Sequence, residues 1–187
     1  MRKIIVSEFV TLDGVMEDPG GAEKSARGGW AFQFERGPAG DKFKLDEVLE
    51  SEALLLGRLT YEGFAAAWPS RTGEFAEKMN SMPKYVVSTT LNEASWKNSA
   101  LIKSNIVEEI SKLKASSGGD ILVAGSGQLV NTLMEHELVD DFRLMVFPII
   151  LGKGKRLFND GFAKLPLRLE QAISAGTGVL ILVYHKL

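Results

Sequence analysis

A chain of 187 residues with 45% apolar and 25% charged residues has the make-up of an ordinary folded domain, long enough to bury a core without cross-links. The formal net charge of −2 offers no basic footprint for nucleic acid or an anionic membrane, and the absence of cysteine excludes disulfides, thiolate metal sites and cysteine nucleophiles. His136 and His185 lie too far apart for HxxxH or HxH spacing, so no metal site is expected.

Met1 to Glu8 is charged and lacks the apolar region of a signal peptide, and no window approaches the roughly 20 apolar residues of a membrane span; a cytoplasmic location is expected. A first strand is predicted from Lys3 to Thr11. It opens into a glycine-rich segment, Asp13 to Gly40, of the length used for lids or insertions. Leu45, Val48 and Leu49 at helical spacing predict a helix from Asp41, which could cap it. Ala53 to Leu56 reads as a buried strand stopping at Gly57, and Thr60 could cap a short helix through Ala67 that ends at Trp68-Pro69. Phe75 to Asn80 suggests a helical turn before the strand Lys84 to Ser88. A helix over Ser104 to Ala115 closes at Ser116 to Gly119, and a strand follows from Asp120 to Ala124. Gly127 to Glu135 is predicted helical, Asp140 to Ile150 a strand, and Leu167 to Ala175 with Val179 to Lys186 an antiparallel hairpin turning at Gly176-Thr177-Gly178. The expectation is one α/β domain over residues 1–187, with a mixed, mainly parallel sheet, helices on both faces and an antiparallel edge.

Three strand ends run into small or polar residues: Gly57-Arg58-Leu59-Thr60, Ser88-Thr89-Thr90 and Gly125-Ser126-Gly127-Gln128. Parallel sheets bind ligands beyond the carboxyl ends of their strands, so these turns should share one edge. Glycine lets the backbone approach a phosphate, a helix N-terminus offers free N–H groups, and Arg58 could pair with a phosphate. Each feature has a plainer reading as a tight turn, a surface charge or a strand terminator; their conjunction points to a nucleotide. Val130 stands where a GxGxxG fingerprint needs its last glycine, Gly154-Lys155 is not followed by Ser or Thr, and Ala124 replaces the first glycine of a nucleophile elbow around Ser126.

Val10-Thr11-Leu12-Asp13-Gly14-Val15, Leu55-Leu56-Gly57-Arg58-Leu59-Thr60-Tyr61, Pro83 to Ser88, Ile121 to Gly127, Val139 to Leu144 and Pro148 to Gly154 occur in an order that resembles the dihydrofolate reductase-like superfamily, of the RibD C-terminal domain type. That resemblance implies a three-layer fold and an NADPH-dependent reductase acting on a pyrimidine or pteridine-type heterocycle, foremost 5-amino-6-(5-phosphoribosylamino)uracil. Dihydrofolate reduction and a non-catalytic NADPH-binding module are the alternatives. By position it implies that Gly57, Arg58 and Thr60 hold phosphates, that Ser88 and Thr89 lie near the adenosine, and that Gly125, Ser126, Gly127, Gln128 and Leu129 lie near the pyrophosphate. Val15 and Met16 would border the nicotinamide, and a homodimer is expected. On the substrate side Asp41 falls near the place of the family's helix carboxylate, with an exposed cap as the other reading; Asp13 could bind substrate or shape its turn. Trp30, Phe32 and Phe34 could stack on a heterocycle or join the core, Glu35, Asp46 and Glu50 read as surface charges, and Lys153, Lys155 and Arg156 could anchor a phosphate or face solvent.

Overall fold

The long apolar runs of this chain become the inner strands of an eight-stranded sheet in the computed structural model, which describes residues 1–187. The strands are β1 (Ile4–Thr11), β2 (Ala53–Gly57), β3 (Lys84–Val87), β4 (Ser99–Ile102), β5 (Ile121–Val123), β6 (Asp141–Phe147), β7 (Leu167–Ala175) and β8 (Val179–Lys186). They are ordered β4-β3-β2-β5-β1-β6-β8-β7. Pairing is parallel from β4 to β6 and antiparallel from β6 through β8 to β7. Every residue of β2 and β5 is buried, as a strand covered on both faces requires, whereas β7 at the edge is largely exposed.

Five helices cover the sheet: α1 (Gly37–Glu50), α2 (Arg58–Ala67), α3 (Glu74–Ser81), α4 (Ile106–Ala115) and α5 (Gly127–Glu135). Strand alternation sorts the core. Ile4, Val6 and Leu55 pack with Ile110 of α4 and Leu129, Val130 and Leu133 of α5. Ile5, Leu54 and Leu56 pack on the other face with Val48 of α1, Tyr61 of α2 and Met79 of α3. A third cluster gathers Trp30, Phe147, Val179 and Ile181 under the hairpin. No helix is long and apolar enough to cross a membrane.

Several boundaries differ from the sequence expectation. Helix α1 begins at Gly37, with Arg36 at its cap position and a proline in its first turn, so Asp41 lies inside the helix and does not cap it. Likewise α2 starts at Arg58 after Gly57, which leaves Thr60 within its first turn, and α4 starts at Ile106. Strand β6 stops at Phe147 because Pro148 cannot donate to the ladder. Strand β4 was not expected; four residues on a sheet edge carry too short a pattern.

Candidate functional site

Strand β1 pairs with β5 only from Ile4–Ile121 to Val6–Val123, yet it runs on beside β6 to Thr11–Phe147. Beyond Val6 and Val123 the two strands therefore lose their ladder, and continuing the register sets Glu8 opposite Gly125. From β1 the chain crosses by α1 toward β2; from β5 it crosses by α5 toward β6, in the opposite direction and on the opposite face. Such a switch point leaves a crevice at the carboxyl ends of the strands, where open α/β sheets take their ligands.

The glycine turns meet at this crevice. The Gly57 N–H donates to the Gly125 carbonyl at 3.1 Å, and a Cβ on Gly57 would stand 2.9 Å from the Ser126 Cβ and 3.0 Å from its backbone nitrogen. Gly125 has φ +96°, and a Cβ there would lie 2.6 Å from the Thr60 hydroxyl. On Gly127 it would lie 2.8 Å from the Met16 sulfur. The segments that follow β1, β2 and β5 thus meet so closely that a Cβ at Gly57 would press on the Ser126 backbone, and at Gly125 and Gly127 on the Thr60 and Met16 side chains. The Gly125–Ser126 peptide is cis. Gly57 and Ser126 precede α2 and α5 in extended backbone, and neither helix has a side-chain cap, so the first N–H groups of both helices keep no side-chain acceptor.

The other expected cofactor residues are distributed around this centre. Arg58, half-exposed, pairs with Glu62 at 3.0 Å. The Gly57–Val87 pairing puts Ser88 beside the β2 turn; its Oγ accepts from the Leu91 and Thr90 amides at 2.9 and 3.2 Å, and Thr89 is exposed. Val15 is fully buried, Leu129 belongs to the core, and Gln128 is exposed.

Of the two carboxylates singled out from sequence, neither stands in the crevice free of protein partners. Asp13 accepts from the Thr11 hydroxyl at 2.6 Å and from the Leu151 and Gly152 amides at 3.2 and 2.8 Å, and these donors, Thr11 foremost, hold its carboxyl below the usual range. Asp41 pairs with Arg36 at 3.0 Å, and its side chain is 65% exposed. The inward stripe of α1 is instead Gly40, Lys44, Glu47 and Val48, the i, i+4, i+7, i+8 set one position away from Asp41. The aromatic trio divides: Trp30 is buried with its indole N–H on the Glu17 carbonyl at 2.9 Å, Phe34 packs against the third cluster, and Phe32 is 81% exposed. Lys155 pairs with Glu17 at 3.6 Å, Arg156 bridges to Val15 through backbone, and Lys153 is exposed. Asp46 pairs with Lys42 at 2.7 Å and Glu50 with Arg143 at 4.0 Å, both at the surface as read, and the backbone of Glu35 bonds to Thr177.

A polar cluster on the inner ends of β1 and α1 has no counterpart in the sequence reading. Glu47, with a fully buried side chain, accepts from Ser7 at 2.9 Å and is bonded to Lys44, which donates to the Ser7 hydroxyl at 2.8 Å. Arg143 lies 3.9 Å from Glu47 Oε1, an oxygen with no hydrogen-bond donor. Glu8 Oε1 is similarly buried and unpartnered. Burial pushes the Glu8 carboxyl up to about 8, with Glu47 adding to the rise and Lys44 and the Gly125 amide opposing it. The available signal was a charged residue interrupting an otherwise apolar strand.

The model of the RibD C-terminal domain matches residues 2–181. Among curated proteins, YyaP of Bacillus subtilis (strain 168), named as uncharacterized, is 33% identical, with the alignment covering 98% of this chain and 95% of YyaP. YwjB of the same organism, named likewise, is 27% identical, with 95% of each chain covered. A crystal structure from Shewanella sp. PV-4 described as a "Putative riboflavin biosynthesis protein" superposes with a TM-score of 0.79 over 99% of both chains at 21% identity. Dihydrofolate reductase from Enterococcus faecalis, complexed with NADP(H) and RAB-propyl, superposes with a TM-score of 0.61 at 16% identity, covering 98% of this chain and 96% of that one. At these identities the two likenesses establish the dihydrofolate reductase-like fold.

Proposed function

The chain belongs to the RibD C-terminal domain family, and from that premise we propose that it is an NADPH-dependent reductase of a planar pyrimidine or pteridine-type heterocycle. The observation that carries the reading is the convergence of Gly57, Thr60, Gly125, Ser126 and Gly127 at the carboxyl ends of β1, β2 and β5. Three glycines leave backbone close to that spot, and two helix N-termini open on it, which suits the pyrophosphate of a dinucleotide. Gly57, Thr60 and Gly125 to Gln128 would hold the phosphates, Arg58 the additional phosphate, and Met16 would border the nicotinamide. When bound, NADPH supplies the hydride. The protein's part is to align the acceptor against β1, exclude water from the parting of β1 and β5, and place a proton donor there.

Among heterocycles, 5-amino-6-(5-phosphoribosylamino)uracil stands ahead of dihydrofolate, in keeping with the family. The test is NADPH oxidation by the purified chain, followed at saturating concentrations of each compound beside a fluorescence titration of NADPH. Saturable binding with oxidation against either compound is the expected result. Binding with no oxidation would favour a nucleotide-binding module, and no binding would overturn the reading.

Arg58 supplies a sharper test of the cofactor. Its guanidinium is held only by a surface pair with Glu62, worth little in itself, and is free to exchange that partner for a phosphate. Arg58→Ala is expected to weaken NADPH about tenfold, or ~1.4 kcal/mol, while NADH changes by less than about twofold. Equal losses for the two nucleotides would remove Arg58 from the extra phosphate.

A further inference from the structure

Helix α1 presents Gly40, Lys44 and Glu47 to the sheet, and the last two make an ion pair that a helix has no need to bury for stability alone. Glu47 is wholly enclosed and one of its oxygens finds no donor, yet the other holds the Lys44 ammonium. Ser7 closes the arrangement, donating to Glu47 at 2.9 Å and accepting from Lys44 at 2.8 Å. Two of the three ammonium N–H bonds are thereby directed, and the third has no partner in the protein. The lysine side chain retains 14% of its exposure, its nitrogen lies 5.4 Å from the centre of the Phe9 ring, and it lines a cavity of about 320 Å³ with Arg36, Thr72 and Phe75. Ser7 immediately precedes Glu8, which faces Gly125 where β1 and β5 part. A cation with one unassigned N–H bond is thus fixed beside the crevice, on the α1 side of β1.

We propose that Lys44 is the proton donor that accompanies hydride addition, and that Glu47 and Ser7 are the residues that position it; this rests on the reductase reading given above. The acceptor class is a carbon–nitrogen double bond in or attached to a planar heterocycle. Hydride adds to the carbon, the π electrons move to the nitrogen, and that nitrogen takes a proton from Lys44 Nζ. The ammonium N–H pair stays on Nζ, and the neutral amine regains its proton from water in the cavity. The Glu47 carboxylate is unchanged throughout. Glu8 on β1, Arg143 on β6, Arg36 ahead of α1, and Asp41 of α1 and Glu74 of α3, which line the same cavity, are the other charged groups around the pair.

The experiment compares Lys44→Arg, Lys44→Met and the double variant Lys44→Met/Glu47→Gln, which removes both charges of the buried pair together. NADPH affinity, melting temperature and the pH profile of kcat are measured with dihydrofolate and with 5-amino-6-(5-phosphoribosylamino)uracil. In both methionine variants kcat is expected to fall at least 100-fold and the shape of the pH profile to differ from that of the wild type. NADPH affinity should stay within twofold, and arginine, which keeps the charge but cannot release a proton, should stay within threefold of methionine; recovery by arginine to near the wild-type rate would overturn proton donation by Lys44. A double variant that melts as the wild type does and keeps kcat within threefold, with the same profile, would overturn the proposal while the reductase reading stands. A tenfold loss of NADPH affinity would also overturn it, by assigning Lys44 to the cofactor. A wild-type chain that binds NADPH but oxidises it against neither compound would overturn both.

Discussion

Lys84→Met is expected to lower the melting temperature by about 6–20 °C. Lys84 sits in β3 with no exposed surface, and its ammonium spends all three donors on carbonyls: Asn80 at 3.0 Å, Met82 at 2.9 Å and Lys97 at 3.0 Å. The Trp96 ring lies 4.2 Å from the nitrogen and covers it. Burial pulls the Lys84 pKa down to about 8, with Lys97 adding to the fall, so the group is still an ammonium at neutral pH. Methionine fits the volume but leaves three enclosed carbonyls without a donor, a loss of about 3–5 kcal/mol by analogy with a broken buried charge network. For a chain of this size each kcal/mol moves the midpoint by about 2–4 °C. The variant should lose the tie between the end of α3 and the approach to β4, so hydrogen exchange at Ser99–Ile102 should accelerate first. A shift below about 2 °C would mean that water replaces the ammonium.

Glu8→Gln is expected to be more stable than the wild type by a margin that grows as the pH rises. The folded carboxyl titrates near 8 and the unfolded one near 4.5, so Glu8 contributes full stability below about pH 4.5 and loses it progressively as the pH rises to about 8. Each pH unit in that window costs the wild type about 1.4 kcal/mol relative to glutamine, which does not ionise. Urea denaturation at pH 5, 7 and 9 reads the difference directly. The two proteins should be similar at pH 5, and the variant should lead by several kcal/mol, on the order of 5, at pH 9. Parallel curves would show that Glu8 ionises as readily in the fold as outside it. Other carboxylates move both curves together, so only the difference reports on this one.

Much of the architecture could be read from runs and turns. Ala53 to Leu56 and Ile121 to Val123 are continuous apolar stretches bounded by polar or glycine punctuation, as strands buried on both faces require, and Ile4 to Val10 is one interrupted only by Ser7 and Glu8. The hairpin was announced by Gly176-Thr177-Gly178. The glycine turns were legible because bringing three strand ends into contact removes the space for a Cβ. Helix α1 was harder: Leu45, Val48 and Leu49 mark an apolar stripe, but Lys44 and Glu47 point inward beside it. Periodicity counts a lysine and a glutamate as solvated, and their mutual neutralisation is visible only once the helix is docked on Ser7. Counting back from Gly57 to Asp41 landed one residue from the inward Gly40, which is enough to turn a side chain through about 100°.

The place of β1 in the sheet also governs how the chain must be made. It leaves the ribosome ahead of the rest of its sheet, yet its neighbours are Ile121–Val123 and Asp141–Phe147. At translation rates of about 5–20 residues per second, roughly 6–24 s separate the synthesis of β1 from that of its first partner. Throughout that interval an apolar strand with two unpaired edges has nothing of its own sheet to join. Expression at lower temperature or with additional holdase chaperone should therefore raise the soluble yield more than any change to the surface hairpin, and nascent chains arrested before residue 121 should be the species that aggregates.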